Sequence, residues 1–145
     1  MKVFLDTSVL VAAVVQKHES HTRAFAVLER IQNGRDQGNV SAHSLAEMYA
    51  VLTKSPPPFR HSPEQALLSI EENVLRHFKL TALAATDYAE MIRDAAPARV
   101  MGGTIYDSLV LRCAAKANPD KIFTLNVKHF EAIADGSIRP IISAP

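Results

Sequence analysis

Short apolar runs alternate with longer amphipathic segments along the chain, and this alternation predicts strands separated by helices. The predicted strands are residues 3–5, 78–83, 122–125 and 138–142, with a further, very short strand at Val40. The predicted helices are residues 9–17, 20–33, 43–54, 63–76, 86–96, 104–117 and 128–133. Because short strands separated by helices usually pair in parallel, the pattern predicts an α/β fold with a mostly parallel sheet and helices on both faces.

Polar residues between these segments indicate where helices begin and where loops lie. Thr7 or Ser8 is the predicted N-cap of the first helix, and Ser62 with Gln65 forms a predicted capping box before the fourth. Residues 34–39 have the sequence GRDQGN and are predicted to form a loop, because glycine and polar side chains dominate them.

Composition narrows the class of protein. A chain of 145 residues, 48% of them hydrophobic, can bury a core without a disulfide or a metal, so a single domain over residues 1–145 is expected. The longest unbroken apolar run, Val9 to Val15, is too short to span a bilayer, so no membrane segment is expected. The only cysteine, Cys113, cannot form an internal disulfide, which suits a reducing cytoplasm.

The charges nearly cancel. Sixteen Lys and Arg against fifteen Asp and Glu leave a net charge of +1, so no general positive field attracts nucleic acid. Any contact with nucleic acid must therefore depend on a local arrangement of side chains.

Three acidic residues occupy unusual positions. Asp6 directly follows the first strand, at the end where ligands bind in open α/β sheets, although it also suits a helix N-cap or a turn. Asp107 shares a helix face with Val110 and Leu111, and Glu47 lies in an almost wholly apolar helix. The alternatives are that Asp107 only complements its helix dipole and that Glu47 reaches water or a basic partner.

Taken together, the three acids favour a metal site. They lie on elements distant in sequence, and no equally well-placed basic residue neutralises them. Carboxylates brought close together need a cation, and oxygen ligands select hard ions such as Mg²⁺ or Mn²⁺. We therefore expect Asp6, Glu47 and Asp107 to converge in one cleft.

Four segments in order resemble a known family. They are VFLDTS at 3–8, SLAEMY at 44–49, IYDSLV at 105–110 and FTLNVKHF at 123–130. With them the chain resembles the PIN domains, and most closely the VapC toxins of VapBC toxin–antitoxin pairs. The resemblance implies a three-layer α/β/α sandwich and a divalent-metal-dependent endoribonuclease that acts on RNA. It also implies a homodimer and a VapB-like antitoxin that covers the acidic cleft.

The resemblance places the catalytic acids at Asp6, Glu47 and Asp107. Such families commonly carry a fourth acid at the position of Asn126, or a few residues later. An amide oxygen at Asn126 can bind a metal or its water, but without charge, which argues against a second tightly held ion.

Hydroxyl groups near these acids are candidates for orienting a carboxylate or a water. They are Thr7, Ser8 and Thr124.

Residues that bind substrate are less clearly indicated. Arg60, Arg99 and Lys128 lie on or beside predicted loops and are candidates for phosphate contacts, although solvated surface charge is the favoured interpretation for each. Tyr106 precedes Asp107 and suits either stacking on a base or packing in the core.

The leading hypothesis is therefore a ribonuclease toxin that uses Mg²⁺ or Mn²⁺ to direct water at the phosphorus of single-stranded RNA. The family resemblance implies products with 5′-phosphate and 3′-hydroxyl ends. Two alternatives stay open: a non-catalytic RNA-binding protein that kept the fold, and an RNA or DNA nuclease of housekeeping function without an antitoxin.

Overall fold

A computed structural model describes all residues, 1–145, and contains one five-stranded sheet in which every pairing is parallel. The strands in chain order are β1 Lys2–Leu5, β2 Gln37–Ser41, β3 Phe78–Thr81, β4 Lys121–Phe123 and β5 Ile142–Ser143. Their order across the sheet is β3-β2-β1-β4-β5. The expected α/β fold is confirmed, and the sheet is wholly rather than mostly parallel.

Seven α-helices connect the strands. They are α1 Thr7–Val14, α2 His21–Gln32, α3 Ala42–Lys54, α4 Pro63–Ile70, α5 Ala85–Ala95, α6 Thr104–Ala117 and α7 Val127–Ile133. The predicted capping box opens α4, since Ser62 Oγ accepts from the Gln65 N–H and Gln65 Oε1 accepts from the Ser62 N–H. No helix is both long enough and apolar enough to cross a membrane.

The helices cover both faces of the sheet, and β1 shows this directly. Val3 and Leu5 point into one apolar cluster, which is formed with helices α1 to α4. Phe4 points the other way, into a second cluster formed largely by α6. Successive side chains of a strand face opposite sides, so a strand buried on both faces is apolar at every position. The result is the expected three-layer sandwich.

The largest error in the predicted elements concerns β2. Residues 34–39 were expected to form a loop and Val40 a very short strand, but β2 begins at Gln37. Its sequence, QGNVS, has little intrinsic preference for a strand. It is extended because it pairs with β1 on one side and β3 on the other. Tertiary pairing thus overrides the local turn signal.

Three other predicted boundaries are wrong. The strand expected over residues 138–142 is instead a 3-10 helix, Arg139–Ile141, followed by the two-residue β5, because Pro140 has no N–H to donate to a ladder. The first helix covers Thr7–Val14 rather than 9–17, and its N-cap position is held by Asp6. The helix expected over 63–76 changes to a π-helical turn at Glu71–Leu75.

Gly38 in β2 provides a test of this packing. A Cβ atom at Gly38 would lie 2.7 Å from Ile31 Cγ2 and 2.8 Å from Phe78 Cδ1. Both neighbours are buried, so neither can move away freely. We expect Gly38→Ala to lower the free energy of unfolding by about 1–3 kcal/mol, measured by urea denaturation. Gly136→Ala is the control, because no atom lies within 4 Å of its added Cβ, and equal stability of the two variants would contradict the prediction.

Candidate active site

Asp6 lies where β1 ends and α1 begins. Its backbone N–H donates to the Phe123 carbonyl oxygen over 2.9 Å, which extends the pairing of β1 with β4. Asp6 occupies the N-cap position of α1, yet its carboxylate makes no capping hydrogen bond. Oδ2 instead accepts from Ser8 Oγ at 2.6 Å and from Thr124 Oγ1 at 2.9 Å. The Asp6 carboxylate therefore binds hydroxyl groups at the end of the sheet and does not cap its own helix.

The two hydroxyls are themselves oriented by the backbone after β4. Ser8 Oγ accepts from the Leu125 N–H at 3.1 Å, and Thr124 Oγ1 accepts from the Asn126 N–H at 3.0 Å. Because each hydroxyl oxygen faces an N–H, its single proton points to Asp6. Asp6 Oδ1 accepts no hydrogen bond from the protein and is free for another ligand.

Glu47 is positioned by α3, which follows β2. Ser41, the last residue of β2, caps this helix by accepting from the His43 N–H. Glu47 Oε2 accepts from Thr7 Oγ1 at 3.1 Å and lies 3.7 Å from His43 Nε2, one turn earlier on the helix. Of the two alternatives for Glu47, a Lys or Arg partner is absent, whereas contact with water is retained, because its side chain is 39% exposed.

Asp107 is a half-buried carboxylate in the first turn of α6, with no hydrogen bond or ion pair to the protein. Its pKa is raised, first by burial and then by the negative charges of Asp6 and Glu47, while His129 opposes the rise. A carboxylate that only complemented the helix dipole would have a lowered pKa instead. Asp6 and Glu47 therefore lie close enough to Asp107 for their charges to act on it, and we call this group of three carboxylates the acidic cleft.

The hydroxyls Thr7, Ser8 and Thr124 all donate to carboxylates of this cleft. Thr124 is fully buried and Thr7 nearly so, which keeps these contacts away from competing water. The hydroxyls thus hold Asp6 and Glu47 in fixed orientations, with Asp107 facing them from α6.

The donor set fits a hydrated hard cation. No group of three or more His, Cys, Asp or Glu side chains is arranged to hold a metal ion directly. Mg²⁺, however, usually keeps several waters and binds through only one or two carboxylates. Asp6 Oδ1 and the Asp107 carboxylate have no protein donors, so both are available, and the repulsion that raises the pKa of Asp107 would be relieved by a cation.

The remaining predicted residues lie around or away from the acids. Asn126 is exposed at the N-cap of α7, and its side chain makes no hydrogen bond. Arg60 Nε donates to the Ser55 carbonyl oxygen, in the segment between α3 and α4. Arg99 and Lys128 are exposed, and the structure gives no contact between them and the three acids. None of the three basic residues forms an ion pair with Asp6, Glu47 or Asp107.

Two histidines near the acids were missed by reasoning from the sequence. His43 lies one helical turn before Glu47, a spacing that was visible in the sequence. His129 was noted only as a residue that is not an acid, and its position three residues after Asn126 gave no further signal. Tyr106 stacks on His43, with ring centroids 5.4 Å apart and planes 5° apart, and its ring is 52% exposed. A core role for Tyr106 is therefore wrong.

The raised pKa of Asp107 leads to a prediction about the stability of the fold. Because the pKa of Asp107 is raised on folding, the stability linked to its proton is fully present below the unfolded-state pKa and is lost as pH rises through the folded-state pKa. At about pH 7.5 without divalent ions, the ionised side chain destabilises the fold. We expect Asp107→Asn to raise Tm by a few degrees in EDTA, and this gain to shrink on acidification to about pH 4.

The control for this measurement is Glu64→Gln. Glu64 is an exposed acid in the first turn of α4, so it shares the helix-dipole environment of Asp107 but not the cluster. We expect no rise in Tm for this variant. An Asp107→Asn protein that is no more stable than the parent in EDTA would contradict the charge cluster.

Comparison with known proteins gives consistent matches. A family model described as a PIN domain matches residues 2–128. Ribonuclease VapC40 of Mycobacterium tuberculosis is 34% identical over 126 residues, which are 87% of each chain. Ribonuclease VapC27 of the same organism is 30% identical over 112 residues, 77% of this chain and 76% of the relative.

Two solved structures share the fold. The crystal structure of VapBC2 from Rickettsia felis bound to a promoter DNA fragment matches with a TM-score of 0.67 and 20% identity, covering 100% of this chain and 99% of that one. Mycobacterium tuberculosis VapC20, a Sarcin-Ricin loop cleaving toxin, matches with a TM-score of 0.69 and 13% identity, covering 92% and 96%.

Proposed function

The chain belongs to the PIN-domain family, and from this membership we propose that it is a divalent-metal-dependent endoribonuclease that acts as the toxin of a toxin–antitoxin pair. The single observation that carries the proposal is the grouping of three acids, in which Thr7, Ser8 and Thr124 hold Asp6 and Glu47 while Asp107 has no protein partner. Two curated relatives are named ribonucleases and are at least 30% identical over more than three quarters of this chain.

The cleft suits hydrolysis of a phosphodiester. A divalent ion bound there would polarise the phosphate oxygens and promote ionisation of the attacking water. Asp6 Oδ1 and Asp107 are the carboxylates available to hold it, with Glu47 facing them. Ser8 and Thr124 keep Asp6 from rotating, because each donates to its Oδ2.

The reaction that follows from this arrangement is direct attack of water on phosphorus. In-line displacement by water leaves a 5′-phosphate and a 3′-hydroxyl when the 3′ oxygen departs. Single-stranded RNA is the proposed substrate, since unpaired nucleotides can enter a cleft between helices more readily than a duplex. Asn126 supplies an uncharged oxygen at the position where the family resemblance implies a fourth acid, so we propose only one tightly held ion.

We propose a VapB-like antitoxin as the partner of this chain, and a homodimer as its assembly. The Rickettsia felis structure is a VapBC pair, which supports a partner of this kind. Three carboxylates in one cleft also suit an Arg or Lys from a partner, because a charge-assisted hydrogen bond can replace the cation. A partner that inserts such a residue would block the site.

The nuclease test compares the wild-type protein with Asp107→Asn on a labelled pool of single-stranded RNA. With Mg²⁺ or Mn²⁺ we expect cleavage by the wild type, loss of cleavage in EDTA, and a rate at least about 100-fold lower for the variant. Because Asp107→Asn is expected to be the more stable protein, its loss of activity cannot be attributed to unfolding. Sequencing of the cut ends reports the 5′-phosphate.

Two results would contradict the proposed chemistry. One is an Asp107→Asn protein that cleaves RNA at the wild-type rate with Mg²⁺. The other is a wild-type protein that retains RNA in millimolar EDTA without cutting it when Mg²⁺ is restored, which would indicate the non-catalytic alternative.

Toxicity is tested separately in cells. We expect induced expression of the wild type to arrest growth and co-expression of the adjacent upstream gene to relieve the arrest. We expect Asp107→Asn to be harmless, because degradation of RNA requires a cleft that is active and not blocked by an antitoxin. Colony counts and optical density report the result. RNA cleavage in vitro without growth arrest would instead favour a nuclease of housekeeping function.

A further inference from the structure

An aromatic pair joins the two helices that carry Glu47 and Asp107. His43 lies on α3, one turn before Glu47, and Tyr106 lies on α6, immediately before Asp107. The two rings are nearly parallel, with planes 5° apart and centroids 5.4 Å apart, which is within the range of offset stacking. The pair is thus built into the rim of the acidic cleft.

The Tyr106 ring is unusually open for a stacked aromatic. It is 52% exposed, although one of its faces lies against His43. An exposed aromatic ring costs solvation free energy unless it has a partner, and a rigid ring loses little entropy when a flat ligand covers it. The remaining face of Tyr106 is therefore suited to a planar aromatic ligand.

His43 holds this surface in place. The His43 Nε2 atom lies 3.7 Å from Glu47 Oε2, and the His43 N–H donates to Ser41 Oγ. The backbone hydrogen bond fixes the start of α3 at the end of β2, and the imidazole lies between the Glu47 carboxylate and the Tyr106 ring. A ring supported in this way keeps the same orientation relative to the acids.

We propose that Tyr106, supported by His43, is a stacking platform for an unpaired nucleobase of the RNA next to the phosphate that is cut. This inference rests on the proposed ribonuclease function and adds a binding residue to that site. Base stacking on an aromatic ring needs no positive charge, which fits a protein with a net charge of +1 whose three acids pair with no Lys or Arg. The platform supplies affinity that Arg60, Arg99 and Lys128 do not supply at the acids.

The topology also places the platform on one side of the scissile phosphate. His43 follows β2, whereas Asn126 and His129 follow β4, and β2 and β4 flank β1 on opposite sides. With Asp6 at the end of β1, the nucleobase on Tyr106 belongs to the β2 side. The RNA strand would therefore pass over the acids with one particular nucleotide on the platform. Only that nucleotide would be recognised by stacking.

A small cavity continues this side of the site. It has a volume of about 120 Å³ and is lined by residues after β2 and β3, among them His43, Thr81 and Tyr88. Tyr88 is also 43% exposed. This cavity is too small for a nucleotide, so the proposed stacking depends on Tyr106 alone.

The test uses Tyr106→Leu, which removes the ring but keeps apolar bulk, and Tyr106→Phe, which keeps the ring. Steady-state cleavage of a short single-stranded RNA with Mg²⁺ gives KM and kcat for each protein. We expect Tyr106→Leu to raise KM by about tenfold or more while kcat stays within about threefold, and Tyr106→Phe to resemble the wild type. Tyr49→Leu is the matched control, because Tyr49 is 41% exposed on α3 but two residues beyond Glu47, on another side of the helix.

A second arm identifies the stacked base. Substrates with a single abasic nucleotide at each position around the cut site are compared for the wild type and Tyr106→Leu. We expect one abasic position to weaken the wild type by about tenfold and to have little further effect on the variant, because the ring and the base act together. A variant that is weakened equally by every abasic substrate, or that has the wild-type KM, would overturn the platform.

Binding measurements separate this inference from the proposed function. Fluorescence anisotropy of the same RNA is measured with Asp107→Asn and with Asp107→Asn combined with Tyr106→Leu, neither of which needs to cleave. Weaker binding only in the double variant supports the platform even if the wild type cuts no RNA. Equal binding by both proteins rejects the platform even if the wild type is an active nuclease.

Discussion

The carboxylate of Asp6 joins the carboxyl ends of two neighbouring strands, and the arrangement of the cleft depends on it. Backbone N–H groups after β4 orient the Ser8 and Thr124 hydroxyls, and these hydroxyls hold one oxygen of Asp6. The other oxygen is left without a protein donor. Burial of Asp6 to 5% exposure makes these hydrogen bonds strong, because water does not compete for them. A loop and a strand end are thereby fixed relative to each other by a single side chain.

The same cleft carries a cost in stability. Asp6 and Glu47 are held by hydroxyls, whereas Asp107 has no partner, and burial together with the charges of Asp6 and Glu47 raises its pKa. Sites that bind cations commonly accept such repulsion, because the ion that relieves it also carries out the chemistry. The fold can accept it because the two apolar clusters on either side of the sheet are independent of the cleft. The apolar clusters on the two faces of the sheet stabilise the fold, whereas the activity proposed here is placed at the carboxyl ends of the central strands.

We propose that the substrate and the cation are bound by different side chains. The carboxylates come from the end of β1, the second turn of α3 and the first turn of α6, and no Lys or Arg forms an ion pair with them. A polyanion brought to such a cleft gains little from electrostatics until a cation is present. Contacts with the bases, such as stacking on Tyr106, would then supply the affinity that charge does not. The proposed division would place metal binding and RNA recognition on neighbouring but distinct side chains.

Much of this protein could be predicted from its sequence. Parallel α/β architecture follows from apolar runs separated by amphipathic segments, and α6 was predicted with the bounds that the structure has, residues 104–117. Asp6 and Asp107 stood out because a strand end and an apolar helix face are costly places for a charge. The hydroxyls that contact the acids were also candidates, because they lie within the segments that carry the family resemblance. The role of the acids in catalysis stays a prediction.

Other features were decided only by tertiary structure. β2 has a loop-like sequence and is extended because two strands pair with it, and the C-terminal strand is shortened because Pro140 cannot donate to the ladder. His43 and Tyr106 lie 63 residues apart in the sequence, and nothing local indicates that their rings stack. Periodicity and capping depend on neighbours within a few residues, so the sequence determines them directly. Pairing across a sheet and contact between helices depend on distant residues, so only the folded chain determines them.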